Sequence, residues 1–365
     1  MKILRVVSDL YPYVVGGLGI HTHEMSRCQA QYGHDVTVYT SKNSNPVKNI
    51  NKNYQVVKFN NRIKIAGNSL LPGLFFKLIQ EKHNFDIIHA HSHLFLSTNQ
   101  CALIRKLKST PLVITNHGLI SQTVPMKLQK IYLPTIGKWT FQSADKVITY
   151  TEEGKSSIIN LGVNPDKIEV IHNGIDTNLF TPKQQESKNK QLLWVGRYIH
   201  GKGVQYLIEA FKIVSEEYDD LKLLMVGDGP LKENINKQIN HLGLNRKITQ
   251  KKFIPNSEIP DLYRNSDIFV LPSLEEGVPR TILEAMSCEI PVVCTKLPQL
   301  IDIINECGIM VPKKDPEALA EGIIKILSDK SLSLKFGKNG RYKIINGFSW
   351  ENTVKKTLKL YETLI

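Results

Sequence analysis

The sequence predicts an α/β chain of two doubly wound domains, and three observations carry that prediction. Short β-branched apolar runs alternate with longer helix-period stretches, and the alternation occurs twice. Between the two series lies 181–190, ten residues without a single apolar side chain. At 365 residues the chain has room for two domains of ~100–200 residues each. The predicted boundaries are an N-terminal domain over 1–180, a linker over 181–190, a C-terminal domain over 191–347 and a closing helical segment over 348–365.

The elements follow in order. Residues 3–7 read as a buried strand, 19–32 as a helix, and Gly33-His34-Asp35 turns the chain into a second strand at 36–40. The short apolar runs at 86–89, 112–115 and 146–149 fit strands covered on both faces. The second series repeats the pattern at 191–195, 221–226, 268–271 and 291–294, with a helix from about Pro279. Strand–helix alternation gives βαβ units and parallel sheets, and ligand is expected in a cleft between the domains.

Composition narrows the function. The hydrophobic fraction of 41% is that of a globular chain, and no run approaches a membrane span of ~20 apolar residues. The N-terminus has too short an apolar stretch for a signal peptide. Five cysteines, at 28, 101, 288, 294 and 307, form no Cys-x-x-Cys pair, which argues for a reducing, cytoplasmic setting. The net charge is +13, and residues 1–180 carry most of it: 16 Lys and 4 Arg against 11 acids, a balance of +9. A basic surface attracts phosphorylated ligands or anionic lipid. No aromatic-interleaved basic motif of a nucleic-acid module accompanies it.

Three glycine turns follow strands, and the first two suit phosphate. Gly16-Gly17-Leu18-Gly19 follows the first strand and opens a helix, where backbone N–H groups can approach an anion. It fails as a dinucleotide fingerprint because Thr22 occupies the third glycine position. Gly196-Arg197 through Gly201-Lys202-Gly203 follows the first strand of the second series. Two cations in such a turn suit a diphosphate, Arg197 as a planar fork and Lys202 as a point charge. Gly227-Asp228-Gly229-Pro230 ends another strand and reads best as a turn.

Paired carboxylates complete the pattern. Glu276 lies on the loop before the helix from Pro279, where it can accept hydrogen bonds from sugar hydroxyls. Gly277 exposes the backbone N–H groups of Val278 and its neighbours to a ligand. Glu284, inside the helix, can take a vicinal diol such as ribose with two oxygens. His89, His91 and His93 alternate along an extended segment, which puts three imidazoles on one face and raises a metalloenzyme as a rival reading.

Taken with Gly33-His34-Asp35-Val36, Asp86-Ile87-Ile88-His89, His172-Asn173-Gly174 and Phe348-Ser349-Trp350, these motifs resemble the retaining GT-B glycosyltransferases of family 4, the glycosyl transferases group 1. The resemblance covers almost the whole chain. It implies a GT-B fold, two Rossmann-like domains facing a cleft, with the last helix crossing back onto the first domain. It also implies donor-diphosphate contacts for Arg197, Lys202 and Gly17, a donor-sugar carboxylate at Glu276 and a ribose carboxylate at Glu284. His117, in Thr115-Asn116-His117-Gly118, matches a histidine near the reacting sugar. Catalytic roles thus fall to Glu276, His117, Arg197 and Lys202, and donor binding to Gly17, Arg197, Lys202, Glu276, Gly277, Val278 and Glu284.

The implied reaction moves a sugar from a nucleotide-diphosphate sugar, most commonly of uridine, to a glycan or lipid-linked acceptor. No metal or other cofactor is expected, since the sequence has no Asp-x-Asp and the nucleotide-sugar is a substrate. The partners are that donor, the acceptor and an anionic membrane surface, not nucleic acid. The apolar, aromatic and Lys-bearing stretches 70–79 and 125–141 would rest on that surface, at the inner face of the membrane. Two departures from the family fall by the donor pocket: Pro298-Gln299 through Asp302 replace a Gly-Gly-and-Glu loop, and Glu289 replaces a common Gly. A nucleotide-sugar epimerase and a non-catalytic sugar binder are the other readings.

Overall fold

A computed structural model of the chain describes residues 1–8, 10–11, 17–42, 53–60, 63–65, 68–81, 84–107, 109–120, 124–183, 190–252, 254–255 and 258–365. The chain divides into two compact units, Met1–Gly174 with Trp350–Ile365, and Ile175–Ser349.

The first unit is built on β1 (Lys2–Val6), β2 (Asp35–Ser41), β3 (Gln55–Phe59), a small hairpin β4 (Ile63–Ile65) and β5 (Asn68–Leu70), β6 (Ile87–His91), β7 (Leu112–Thr115), β8 (Lys146–Thr149) and β9 (Ile168–Val170). Seven of these form one parallel sheet in the order β3-β2-β1-β6-β7-β8-β9. The order reverses at β1, the place where a doubly wound sheet opens to ligand. Its helices are α1 (Gly17–Gln31), α2 (Pro72–Gln80), α3 (Leu96–Leu107), α4 (Met126–Tyr132), a π-turn over Leu133–Gly137, α5 (Lys138–Ser143) and α6 (Glu152–Asn160). Ile3, Leu4, Val6, Ile87, Ala90, Val113 and Val147 are fully or almost fully buried, so helices cover both faces of the sheet.

The second unit repeats the plan with β10 (Gln191–Val195), β11 (Lys222–Val226), β12 (Ile248–Lys251), β13 (Ile268–Leu271), β14 (Val292–Thr295) and β15 (Gly308–Val311), all parallel, in the order β12-β11-β10-β13-β14-β15. Its helices are α7 (Val204–Glu217), α8 (Lys232–His241), α9 (Ile259–Arg264), α10 (Arg280–Ser287), α11 (Ile301–Ile304), α12 (Pro316–Ser328) and α13 (Lys330–Gly347). The final helix α14 (Trp350–Glu362) belongs to the first unit, where Trp350 and Val354 pack against Met25 of α1.

Two expectations shift. The change of unit falls at Gly174–Ile175, ahead of the boundary read at 180, because Ile175 and Phe180 are already buried in the core under α10. Most of the expected linker, 184–189, lies outside the described residues. Pro279 caps α10 from outside in an extended conformation (φ −69°, ψ 119°) and is not its first helical residue.

Candidate functional site

In the second unit the site grows out of the turns that leave β10 and β13. After β10 the chain makes a short 3₁₀ turn over His200–Lys202, and Gly203 closes it at φ +61°. A Cβ there would lie 2.1 Å from the carbonyl oxygen of Pro272, so only glycine lets the two turns approach. The backbone N–H of Leu274 donates to the carbonyl of Gly201 at 2.9 Å and ties them together.

That approach brings Lys202 to Glu276. Its Nζ lies 2.5 Å from Glu276 Oε1, with the two side chains only 17% and 7% exposed. Ser273 Oγ donates to the same oxygen at 2.7 Å. Thr295, at the end of β14, donates to the carbonyl of Ser273, and the Gln299 amide donates to the carbonyl of Glu276. Glu276 is thus fixed at both backbone and side chain. Arg197 stands exposed on the same turn, and its side chain has no ion pair or hydrogen bond among the described residues. Gly277 is exposed, and Val278 packs partly against the core.

Glu284 is placed differently. It is buried in α10, with Oε2 accepting from the Tyr263 hydroxyl at 2.8 Å and Oε1 paired with Arg280 Nε at 2.8 Å. Burial raises its carboxyl above the ordinary range, against the pull of Arg280 and Tyr263. Each oxygen keeps acceptor capacity for a diol, but the carboxylate is also a structural tie between α9 and α10.

In the first unit Gly17 opens α1, with open space where a Cβ would stand; Gly16 lies outside the described residues. His117 sits beyond β7, partly buried, among His21, His91 and Tyr150. Its Nε2 lies 3.0 Å from His91 Nδ1, and its Nδ1 lies 3.0 Å from the Tyr150 hydroxyl. His21 Nδ1 lies 2.7 Å from Asn173 Oδ1. Burial first, then the neighbouring His21, holds the His117 imidazole well below its usual range.

The three-histidine face needs correcting. His89 and His91 do share one face of β6, their rings stacked 4.6 Å apart. Ser92 adopts φ +62°, which breaks the alternation, and His93 turns instead onto Phe141. Among the described residues, the cluster within ligand reach of one point is His21, His91 and His117, which come from three separate segments. Sequence spacing could not show it, nor could it show Arg5, Tyr150, Tyr263, Ser273 and Gln299 as partners. The run His89-Ala90-His91 was the one local signal of a polar strip inside a parallel sheet.

Comparison with known proteins agrees with this architecture. Residues 176–343 match the family described as glycosyl transferases group 1, and 15–179 match glycosyltransferase family 4. The chain is 30% identical, over 80% of its length and 78% of the other, to the UDP-Gal:alpha-D-GlcNAc-diphosphoundecaprenol alpha-1,3-galactosyltransferase of Escherichia coli. It is 28% identical, over 99% and 98%, to an uncharacterized glycosyltransferase of Methanocaldococcus jannaschii. Among solved structures it is similar to Anabaena HepE in complex with UDP and glucose, with TM-score 0.83, 20% identity and full coverage of both chains. Two parallel α/β units, the ordered motifs and these matches together establish that the chain belongs to the group 1 glycosyltransferases and is a glycosyltransferase of GT-B fold.

Proposed function

We propose that the enzyme is a retaining, metal-independent hexosyltransferase that moves a sugar from a nucleoside-diphosphate sugar to a glycan or lipid-linked acceptor in cell-surface polysaccharide or glycolipid synthesis. The observation that carries this reading is the Lys202–Glu276 pair, a cation and a carboxylate presented together at the ends of two parallel strands. A nucleotide-sugar needs both: positive charge for its phosphates and an acceptor for its hydroxyls.

In this reaction the acceptor hydroxyl bonds to the anomeric carbon as the bond from that carbon to the diphosphate oxygen breaks. The departing phosphate oxygen takes the hydroxyl proton on the same face, which retains configuration. Negative charge grows on the phosphate, so Arg197 and Lys202 stabilise the transition state more than the bound donor. That role is the one a divalent ion would otherwise fill. Glu276 orients the sugar and faces the positive charge developing on its ring. Glu284 takes the ribose, while Gly17, Gly277 and Val278 offer backbone N–H groups. Uridine is the base we propose, supported by the E. coli relative, whose name specifies UDP-Gal and a diphosphoundecaprenol-linked acceptor.

The test is direct. Lys202→Ala and Glu276→Ala should each lower turnover by about tenfold or more without unfolding the protein. Near-native turnover in both variants would end the assignment. Ranking UDP-, GDP- and ADP-sugars by the rise in melting temperature they cause identifies the donor.

A membrane site is part of the same proposal. Met126, Leu128, Ile131, Ile136 and Trp139 are all exposed along α4, the π-turn and α5, with Lys127 and Lys130 exposed among them. No helix among the described residues is long and apolar enough to cross a membrane. Apolar side chains interleaved with lysines suit the surface of an anionic bilayer, here its cytoplasmic face. Sedimentation with phosphatidylglycerol vesicles should pull the enzyme down at low salt. No pelleting at any salt concentration would remove this part of the proposal.

A further inference from the structure

Arg5 is fully buried in β1, an inner strand of the first unit, and among the described residues no carboxylate pairs with it. Its partners are neutral. One guanidinium nitrogen reaches His89 Nδ1 at 3.1 Å and His91 Nε2 at 3.0 Å, and the other donates to the Gln29 amide oxygen. A buried cation without a counter-ion is costly, so its retention calls for an explanation.

Donor and acceptor bookkeeping supplies one. A guanidinium only donates, so each contacted ring nitrogen must be the lone-pair nitrogen of a neutral imidazole. His89 therefore carries its proton on Nε2, which donates to Thr115 Oγ1 at 2.6 Å. His91 carries its proton on Nδ1, and that N–H points at His117 Nε2, 3.0 Å away. His117 Nε2 must then accept, so its proton is on Nδ1 and donates to the Tyr150 hydroxyl at 3.0 Å. Each link is forced by the one before it, starting from Arg5.

We propose that Arg5 is a positioning residue: acting through His91, it fixes the tautomer of His117, so that His117 is held as an Nδ1–H imidazole. The same bookkeeping decides a rival reading. The ligand nitrogens of His21, His91 and His117 lie within 4.8 Å of one another, a spacing that would hold a metal ion. A neutral imidazole has one nitrogen lone pair, however, and Arg5 occupies that of His91 while His91 occupies that of His117. The cluster is an ordered hydrogen-bond relay, not a vacant set of ligands. Burial, reinforced by Arg5 and the neighbouring rings, keeps His89 and His91 neutral at physiological pH. The effect of the relay on turnover rests on the proposed role of His117 beside the sugar; the relay itself does not.

Long-range ¹H–¹⁵N correlation spectra of the full-length, ¹⁵N-histidine-labelled enzyme test it. The wild type should show His91 and His117 as Nδ1–H tautomers and His89 as Nε2–H. Finding His91 or His117 as Nε2–H, or as imidazolium at neutral pH, overturns the proposal. Arg5→Met should release the Nδ1–H pattern of both rings, whereas Arg5→Lys, still a donor-only cation, should keep it. An unchanged wild-type pattern in Arg5→Met also overturns it, and if that variant does not fold, the wild-type and Arg5→Lys spectra decide. One equivalent of Zn²⁺ should leave the three ring signals in place; stoichiometric shifts would establish a metal site instead. In transfer assays Arg5→Met should lose at least about tenfold in kcat with donor KM little changed, the pattern of a lost tautomer. Full activity in His117→Ala would retire the role of His117 in catalysis while leaving the spectra, and the relay, intact.

Discussion

The two units handle buried charge by opposite means. The first holds one cation, Arg5, among neutral imidazoles and the Gln29 amide, with no carboxylate paired to it among the described residues. The second matches charge with charge: Lys202 with Glu276, and Arg280 with Glu284. The difference teaches where each unit is vulnerable. A network of neutral rings fails when acid adds protons. A network of ion pairs fails when one partner is removed or the turn that presents it is moved.

The largest expected effect tests the turn. Gly203→Ala places a Cβ 2.1 Å from the Pro272 carbonyl at φ +61°, so the Lys202 turn must move away from the Glu276 turn. A strained backbone of this kind costs about 1–3 kcal/mol before the clash is counted. Turnover should fall at least as far as in Lys202→Ala. A Gly203→Ala enzyme with native kinetics would show that the pairing of the two turns is dispensable.

Next comes the pair inside the helix. Glu284→Ala leaves Arg280 and the Tyr263 hydroxyl without their acceptor in a nearly dry site. Breaking such a pair costs about 3–5 kcal/mol, so denaturant melts should show a large loss of stability as well as weakened donor binding. If donor affinity falls while stability does not, Glu284 is a ligand residue only.

The third prediction sets the two units against each other by pH. His89, His91 and His117 have folded-state values well below the ordinary 6.5, and burial pushes His93 down to about 4. The unfolded chain therefore binds more protons below pH 6.5. The histidine contribution is fully present above that pH and declines as pH falls, by about 1.4 kcal/mol per histidine per pH unit. Glu284 and Asp267 are shifted the other way, upward by burial, so acid favours their folded form. Hydrogen exchange between pH 7 and 5 should show protection falling in β1, β6 and β7 before it falls in β10 and β13. Uniform loss across both units would erase the contrast.

How legible all this was depended on burial. The strands read from sequence are the inner ones, β1, β2, β6, β7, β8, β10, β11, β13 and β14, whose two covered faces demand unbroken apolar runs. The strands that were not read, β3, β9, β12 and β15, are all sheet edges, with half-exposed sequences such as Gln55-Val56-Val57-Lys58-Phe59 and Ile248-Thr249-Gln250-Lys251. The small hairpin escaped as well. At the site, Lys202 and Glu276 were legible because glycine turns punctuate the chain beside them. The relay was not, because Arg5, His91, His117 and Tyr150 meet only through sheet register, and a lone Arg in an apolar strand gives no sign of what it will face.

The smallest effect concerns a residue that touches only the backbone of the Glu276 turn. Gln299, in the turn before α11, donates its amide to the backbone carbonyl of Glu276. It touches neither Lys202 nor the Glu276 carboxylate, so its influence is confined to where the backbone of that turn rests. Gln299→Ala should cost about 1 kcal/mol of stability, the net worth of one such hydrogen bond. With the Lys202–Glu276 pair and Ser273 still holding the side chain, kcat should change less than donor KM, which should rise a few-fold. Gln299→Glu is the sharper probe, because it sets a carboxylate against a carbonyl oxygen and should raise KM further than Ala does. If both variants bind donor as the wild type does, the side-chain contacts alone fix Glu276, and the second unit depends on its ion pair even more than the comparison with the first implies.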